Sequence, residues 1–294
     1  LPGLVRPLGG AVLATLVVVA IATAMAPLTG GLPVVELSVA GGAGLLVYAL
    51  VVVPASLLKK LGAGGPAHLK GTNMPGGDVL VSIGLPVRNG AGRLEHVIES
   101  VLAQDYERIE LVISDNASTD DTEDLCRELA RSDGRIRYHR QAENVGLLAN
   151  FITTMRLANG ELFRWVGDDD RLAPHCVSRA VRAFAADERL VLVTSQIAYT
   201  GPDGVTETAE YDGTGLTSDD PVERFTEMLR LLNESHLLID PLYGMVRRDR
   251  VAAIARRNML REDEVFATKL ALAGPWAHVP RCSVTATGST RGCR

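Results

Sequence analysis

The chain has 294 residues, 47% of them hydrophobic but only 4% aromatic, and a formal net charge of −5. That length holds one sizeable globular domain and something smaller, and the acidic balance argues against a general nucleic-acid binder. Four scattered cysteines (Cys126, Cys176, Cys282, Cys293) form no CxxC pair and six histidines form no HExxH. Neither a zinc site nor a disulfide framework is indicated, and the pattern fits a reducing compartment.

The apolar residues are unevenly spread. Leu8 to Thr29 carries no charge, and neither does Leu37 to Leu58; each run matches the roughly 20 helical residues that cross a hydrocarbon core. GGLPVVE joins them with Glu36 as its only charge, Arg6 precedes the first run, and Lys59 and Lys60 close the second. Basic residues at both outer ends predict a transmembrane hairpin over residues 1–60 with both ends cytoplasmic, hence a protein of the cell inner membrane. A cleaved signal peptide accounts only for the first run, and two core helices would normally carry a polar stripe. The hairpin, through GLLVYAL, resembles the last two helices of polysaccharide flippases, and a chain opening on Leu1 reads as starting mid-protein. Residues 61–77 (LGAGGPAHLKGTNMPGG) then read as a Gly/Pro-rich linker.

From Asp78 the pattern becomes that of an α/β domain running to residue 294. VLVSIGL (79–85) is a continuous apolar run, as in a parallel strand buried on both faces. RLEHVIESVLAQ (93–104) places Leu94, Val97, Ile98, Val101 and Leu102 at helical spacing. IELVISD (109–115) is a second strand, and STDDTEDLCRELAR (118–131) a helix with an acidic, capping-rich first turn. IRYHR, LLANFITTMRLANG, ELFRWVG, PHCVSRAVRAFAADE and LVLVTSQIAY continue the alternation. Right-handed crossovers and a mostly parallel sheet with flanking helices follow.

In such sheets ligands bind outside the carboxyl ends of the strands. There the chain places PVRNG, then Asp115, Asn116, Ala117 and Ser118, then Gly167, Asp168, Asp169 and Asp170. An Asp triplet alone is often an exposed turn. After a buried strand and opposite Asp115, it needs a cation. No GxGxxG or GxxxxGK[ST] is present to cradle phosphate, whereas carboxylates hold Mg²⁺ or Mn²⁺, which bridge to phosphate oxygens. The reading is a divalent ion completed by a nucleotide's phosphates.

VSIGLPVRNGAGRLEHVIESVLAQDYERIELVISDNASTDDT and, further on, ENVGLLANFITTMRLANGELFRWVGDDD together resemble the two opening blocks of the family 2 inverting glycosyltransferases, over some 90 residues. The resemblance implies a GT-A fold, a nucleotide-sugar donor (UDP- or dTDP-linked) and a divalent metal. Asp115 matches the acid that hydrogen-bonds the base, and Pro86 and Asn89 flank that base. Asp169 and Asp170 fall on the closing Asp pair that serves the metal, with Asp168 touching the ribose or assisting. Two positions depart: Gly167 stands where many members carry Asp, and Arg88 where an aromatic often stacks on the base, a role a guanidinium can also fill.

Inversion at an anomeric carbon needs a carboxylate to take the acceptor hydroxyl's proton. In NMLREDEVFATKLALAGPWAHVP (258–280), Asp263 aligns with the family's acidic helix start, and Glu262 is the second candidate. DPLYGMVRRD (240–249) resembles the acceptor-side strand, with Tyr243 and His236 assigned to core or surface. Members usually continue past VP into a strand and a loop whose His or Arg closes over the diphosphate; here the tail is RCSVTATGSTRGCR, read as truncated, with Arg291 the candidate for that place. The expectation is a membrane-tethered, metal-dependent inverting transferase acting on a lipid-linked or other cell-envelope glycan. Two alternatives are a nucleotide-sugar binding protein without turnover and a nucleotidyltransferase, although PVRNGAG lacks the GxGTRL-like loop the latter needs.

Overall fold

The computed structural model describes residues 79–287, apart from 202, 212 and 235–238. The expected hairpin (1–60), the linker (61–77), His236 and Arg291 lie outside the described residues. Among the described residues no helix is long and apolar enough to cross a membrane.

The chain alternates as expected through β1 (Val81–Val87), α1 (Leu94–Leu102), β2 (Ile109–Asp115), α2 (Thr122–Ser132), β3 (Ile136–Arg140), α3 (Leu147–Leu157) and β4 (Leu162–Trp165). It continues with β5 (Asp170–Leu172), α4 (Cys176–Ala186), β6 (Leu192–Thr200), β7 (Thr206–Thr208), a 3₁₀ turn (Thr214–Thr217) and α5 (Pro221–Glu234). β8 (Met245–Arg247), α6 (Arg248–Ala252), α7 (Glu262–Ala273) and β9 (Trp276–Thr287) complete it. One sheet runs β3-β2-β1-β4-β8-β6-β9-β5, with β7 on β6. β3, β2, β1 and β4 are parallel neighbours. β8 enters antiparallel between β4 and β6, and β9 lies parallel to β6 but antiparallel to β5. The sheet is therefore parallel in its first half and mixed in its second.

β1 and β2 are buried along their whole length. Odd-numbered residues of β1 (Val81, Ile83, Leu85, Val87) pack with Val97, Val101 and Phe184 of α1 and α4. The other face is made of small residues, Ser82 and Gly84. A Cβ on Gly84 would come within 2.6 Å of Phe163 and 2.7 Å of Thr154, so glycine is what lets α3 close onto the sheet. Across β4 that second face becomes aromatic: Phe163, Trp165, Phe266 and Trp276 form a separate core with α5 and α7.

β1 runs two residues past the expected end, through Pro86. The reason lies in its neighbours. Gly84 O accepts from Val166 N at 3.0 Å as β4 ends, while Val87 O accepts from Asn116 N at 2.9 Å on the β2 side. Pro86 faces the β4 side one step beyond that last bond, where its missing N–H leaves nothing unpaired. The strand after Pro280 is present, and β9 continues to Thr287 beside β6 and β5.

Candidate active site

Three loops meet at the carboxyl ends of β1, β2 and β4. The turn after β1 is tied to the turn after β2 by side chains capping backbone. Asn89, at φ +55°, donates its N–H to Ser118 Oγ (2.9 Å) and accepts from Thr119 N (2.9 Å). Gly90 N donates to Thr122 Oγ1 (2.9 Å), and Ala91 N to Asp120 Oδ2 (3.3 Å). This is what the Asn, Ser and Asp of PVRNG and DNASTDDT do locally: they offer the backbone partners that a strand or helix would otherwise supply.

Asp115 anchors the junction from inside. It is 0% exposed and accepts from Ser118 N (2.8 Å), Ser118 Oγ (2.5 Å) and Tyr138 Oη (2.7 Å), with Arg140 Nε at 3.7 Å. Burial, then this hydrogen bond, pushes the Tyr138 phenol far above its usual range. Asn116 is buried too, donating to Asn144 Oδ1 (2.8 Å) and accepting from Val145 N (2.8 Å). Asn150, from the second motif block, donates to Ser114 O (2.8 Å). At the rim Pro86 is buried, while Arg88 and Asn89 are exposed.

The Asp triplet divides its work. Asp168 forms an ion pair with Arg93, which leads into α1. Asp170, 7% exposed, turns back and accepts the Gly167 N–H at 2.8 Å. A Cβ on Gly167 would stand 2.8 Å from that same Asp170 oxygen, so a side chain there would require the Asp170 carboxylate to shift. Desolvation pushes the Asp170 carboxyl up to about 6, with the charge of Asp169 adding to it. Burial and then the neighbouring Asp168 raise Asp169 as well.

Sequence reasoning missed three contributors. Arg164 of β4 is 1% exposed. Its Nη1 donates to Cys176 Sγ at 3.2 Å, while Nε and Nη2 have no hydrogen-bond partner among the described residues. Its charge favours ionisation of both Asp170 and Asp240. Asp240 and Tyr243 lie in the turn before β8. Because Met245 pairs with Arg164 in antiparallel register, that turn runs beside the end of β4 and so beside the triplet. Asp240 accepts the Leu242 N–H at 2.9 Å, and burial raises its carboxyl, with Asp263 contributing. Burial and then the fields of Asp170, Asp240, Asp169 and Asp168 hold the half-buried Tyr243 phenol neutral, far above its ordinary value. The available signals were the arginine inside the apolar run LFRWV and the turn-forming DPLYG.

The two candidate bases differ in occupation. Glu262 is bound twice by Arg256, at 2.7 and 2.5 Å, and that guanidinium lies over Phe266 and Trp165 at 4.3 and 5.3 Å. Asp263 is exposed in the first turn of α7 and accepts no hydrogen bond from the described residues. It is also the one whose charge is felt at Asp240.

Oxygen-only donors, among them Asp169 and Asp170 whose carboxyls are raised by burial and a neighbouring acid, suit a hard divalent cation. Asp168, Asp169 and Asp170 are the residues that would hold it. Among the described residues, however, no three His, Cys, Asp or Glu side chains are already arranged around a metal position, because Asp168 faces Arg93 and Asp170 faces Gly167.

Comparison with known proteins follows this geometry. The pattern of Glycosyl transferase family 2 matches residues 82–250. A relative from Campylobacter jejuni, GalNAc(5)-diNAcBac-PP-undecaprenol beta-1,3-glucosyltransferase, is 28% identical over 145 residues, 49% of this chain and 46% of that protein. Glycosyltransferase GlyA of Streptococcus pneumoniae is 27% identical over 128 residues, 44% of this chain and 18% of its own length. The chain thus spans less than half the length of these curated relatives. Among solved structures, Staphylococcus aureus TarS 1-349 in complex with UDP-GlcNAc superposes with a TM-score of 0.56 at 18% identity, covering 71% of this chain and 59% of that one. Mannosyltransferase PcManGT from Pyrobaculum calidifontis, in complex with GDP-Man and Mn²⁺, gives 0.53 at 19% identity, covering 73% and 58%. These likenesses establish the fold, and the family match establishes the membership: the chain belongs to glycosyl transferase family 2.

Proposed function

We propose that the protein is a metal-dependent inverting glycosyltransferase that moves a sugar from a nucleotide-sugar to a lipid-linked or other cell-envelope glycan. The observation that carries the reading is the sequence of charges along one edge. A locked pair of loops after β1 and β2 adjoins the triplet, the triplet adjoins the Asp240–Tyr243 turn, and Asp263 lies within electrostatic reach of that turn. Bound at the triplet, Mg²⁺ or Mn²⁺ would supply positive charge to the departing diphosphate. The chain's own residues do the rest. Arg88 and Asn89 form the outer wall for the base, and Asp115 holds their loop through Ser118. Asp263 takes the acceptor hydroxyl's proton as that oxygen forms its bond to the anomeric carbon and the bond to the diphosphate breaks.

Two relatives support the choice of substrates by their chemistry: TarS binds UDP-GlcNAc, and the Campylobacter enzyme is named for an undecaprenol diphosphate-linked acceptor. The hairpin over 1–60 anchors the chain in the inner membrane, with residues 79–287 on the cytoplasmic side, where nucleotide-sugars are made. The test is release of nucleoside diphosphate from a panel of UDP-, dTDP- and GDP-sugars by the full chain in membranes. Release stimulated by a polyprenyl diphosphate-linked glycan and abolished by EDTA is expected. Release unaffected by EDTA removes the metal, and no release with any donor removes the reaction.

A further inference from the structure

The stretch before α7 differs from the rest of the surface. From Arg250 to Arg261 (RVAAIARRNMLR) the sequence carries four arginines and no acid, in a chain whose net charge is −5. Residues 257–261 are all exposed. Met259 is 44% exposed and Leu260 89%, the highest among the large exposed hydrophobic residues described. A lone surface leucine needs no explanation, but two adjacent apolar side chains bracketed by arginines form a distinct surface.

The fold holds this turn outward rather than leaving it to fray. At its base Arg256 is fixed by Glu262 and by the Phe266 and Trp165 rings. At its end Arg261 adopts φ +56°, the left-handed region that side chains rarely enter, and pairs with Glu264 at 3.2 Å. Of the acids nearest in sequence, Glu262 and Glu264 are engaged by Arg256 and Arg261, while Asp249 and Asp263 stay exposed. Arg257 makes no ion pair among the described residues, and Leu260 projects with nothing packed over most of its surface.

We propose that the Arg257–Arg261 turn docks residues 79–287 onto an anionic lipid bilayer. Met259 and Leu260 enter the headgroup boundary, Arg257 pairs with lipid phosphate, and Arg261 exchanges Glu264 for a second phosphate. Cationic side chains around a small apolar tip are what an interface between water and anionic lipid selects, since each part meets its own phase. A second protein would meet the same leucine with a formed pocket; here the charge, opposite in sign to the rest of the chain, complements the membrane. Asp263 follows the turn by two residues. Docking would bring the base to the surface from which a lipid-linked acceptor emerges, a consequence that rests on the proposed reaction, whereas the docking itself does not.

The experiment reads docking without reading activity. Trp165 and Trp276 are each 1% exposed, so a tryptophan placed at the tip is the one that brominated acyl chains can reach. The Leu260→Trp full chain is reconstituted in phosphatidylcholine vesicles with and without phosphatidylglycerol. Its emission is expected to shift to the blue and to be quenched by brominated phosphatidylglycerol, and both effects to disappear when Arg257 and Arg261 are changed to Gln. Met259→Trp supplies a second reporter if the first variant misfolds. Identical spectra in both vesicle types, or quenching that survives loss of both arginines, overturn the proposal. So does a blue shift that grows with protein concentration alone, which would mean a second copy occupies the turn.

Discussion

The two halves of the sheet hold their polar groups in opposite ways. Around β1–β3 nearly every side chain near the site already has its partner: Asp115, Asn116, Ser118 and Asp120 are spent on backbone and hydroxyl donors. Around β4, β5 and β8 the carboxylates crowd one another, and Asp169, Asp170 and Asp240 are all raised by burial. The first half is built to stay as it is. The second carries buried acids with nothing among the described residues to neutralise them fully, which is how functional sites commonly depart from the rules that stabilise a fold.

The largest expected effect falls on chemistry alone. Asp263→Asn keeps the shape of an exposed helix-start residue but cannot take a proton, so transfer should fall by about 10²- to 10⁴-fold. Calorimetry should find UDP binding unchanged. Turnover equal to that of the parent would move the base to Glu262, in spite of its clasp by Arg256.

Next comes a substitution expected to stabilise the protein while impairing it. A carboxyl lifted from 3.8 to about 6 favours the fold below its unfolded value, and that advantage is lost as pH rises through about 6. Once ionised in the metal-free protein it costs roughly 3 kcal/mol. Asp170→Asn should therefore raise the metal-free melting temperature at pH 7.5 and change it little at pH 4, while Mn²⁺ binding measured by electron paramagnetic resonance weakens. A melting temperature lowered at pH 7.5 would show that the second half is not strained at all.

The smallest effect belongs to the first half. Tyr138→Phe removes a hydroxyl from a fully buried carboxylate, and leaving such an acceptor short of a donor costs about 1–3 kcal/mol. The unfolding free energy from urea titration should drop by that amount, with no change in the pH profile of transfer. A shifted profile would erase the distinction between the halves.

Legibility followed the same division. The strand and helix alternation from Val79 to Trp165 could be read because each element repeats apolar residues at its own period, and because PVRNG, DNAS and ENVGLLAN are local devices whose partners lie within a few strands. The placement of Asp240 and Tyr243 beside the triplet could not be read. β8 is three residues long, too short for a period to emerge, and only its antiparallel register against β4 carries the preceding turn to the triplet. Arg164 was hidden for another reason: within LFRWV a charge looks like a solvent-facing position, whereas here it lies beneath the acids that need it. Between Asp263 and Glu262 sequence alone offered only alignment; the clasp of Glu262 by Arg256 is a tertiary fact.

The Arg93–Asp168 pair has an implication for the order of events. A guanidinium that leaves its carboxylate for a phosphate releases an oxygen ligand toward the cation in the same exchange. Under the proposed reaction, nucleotide and divalent ion would then share one equilibrium, and each would tighten the other's binding by the same factor. Cation affinity measured without nucleotide will understate what the working site achieves.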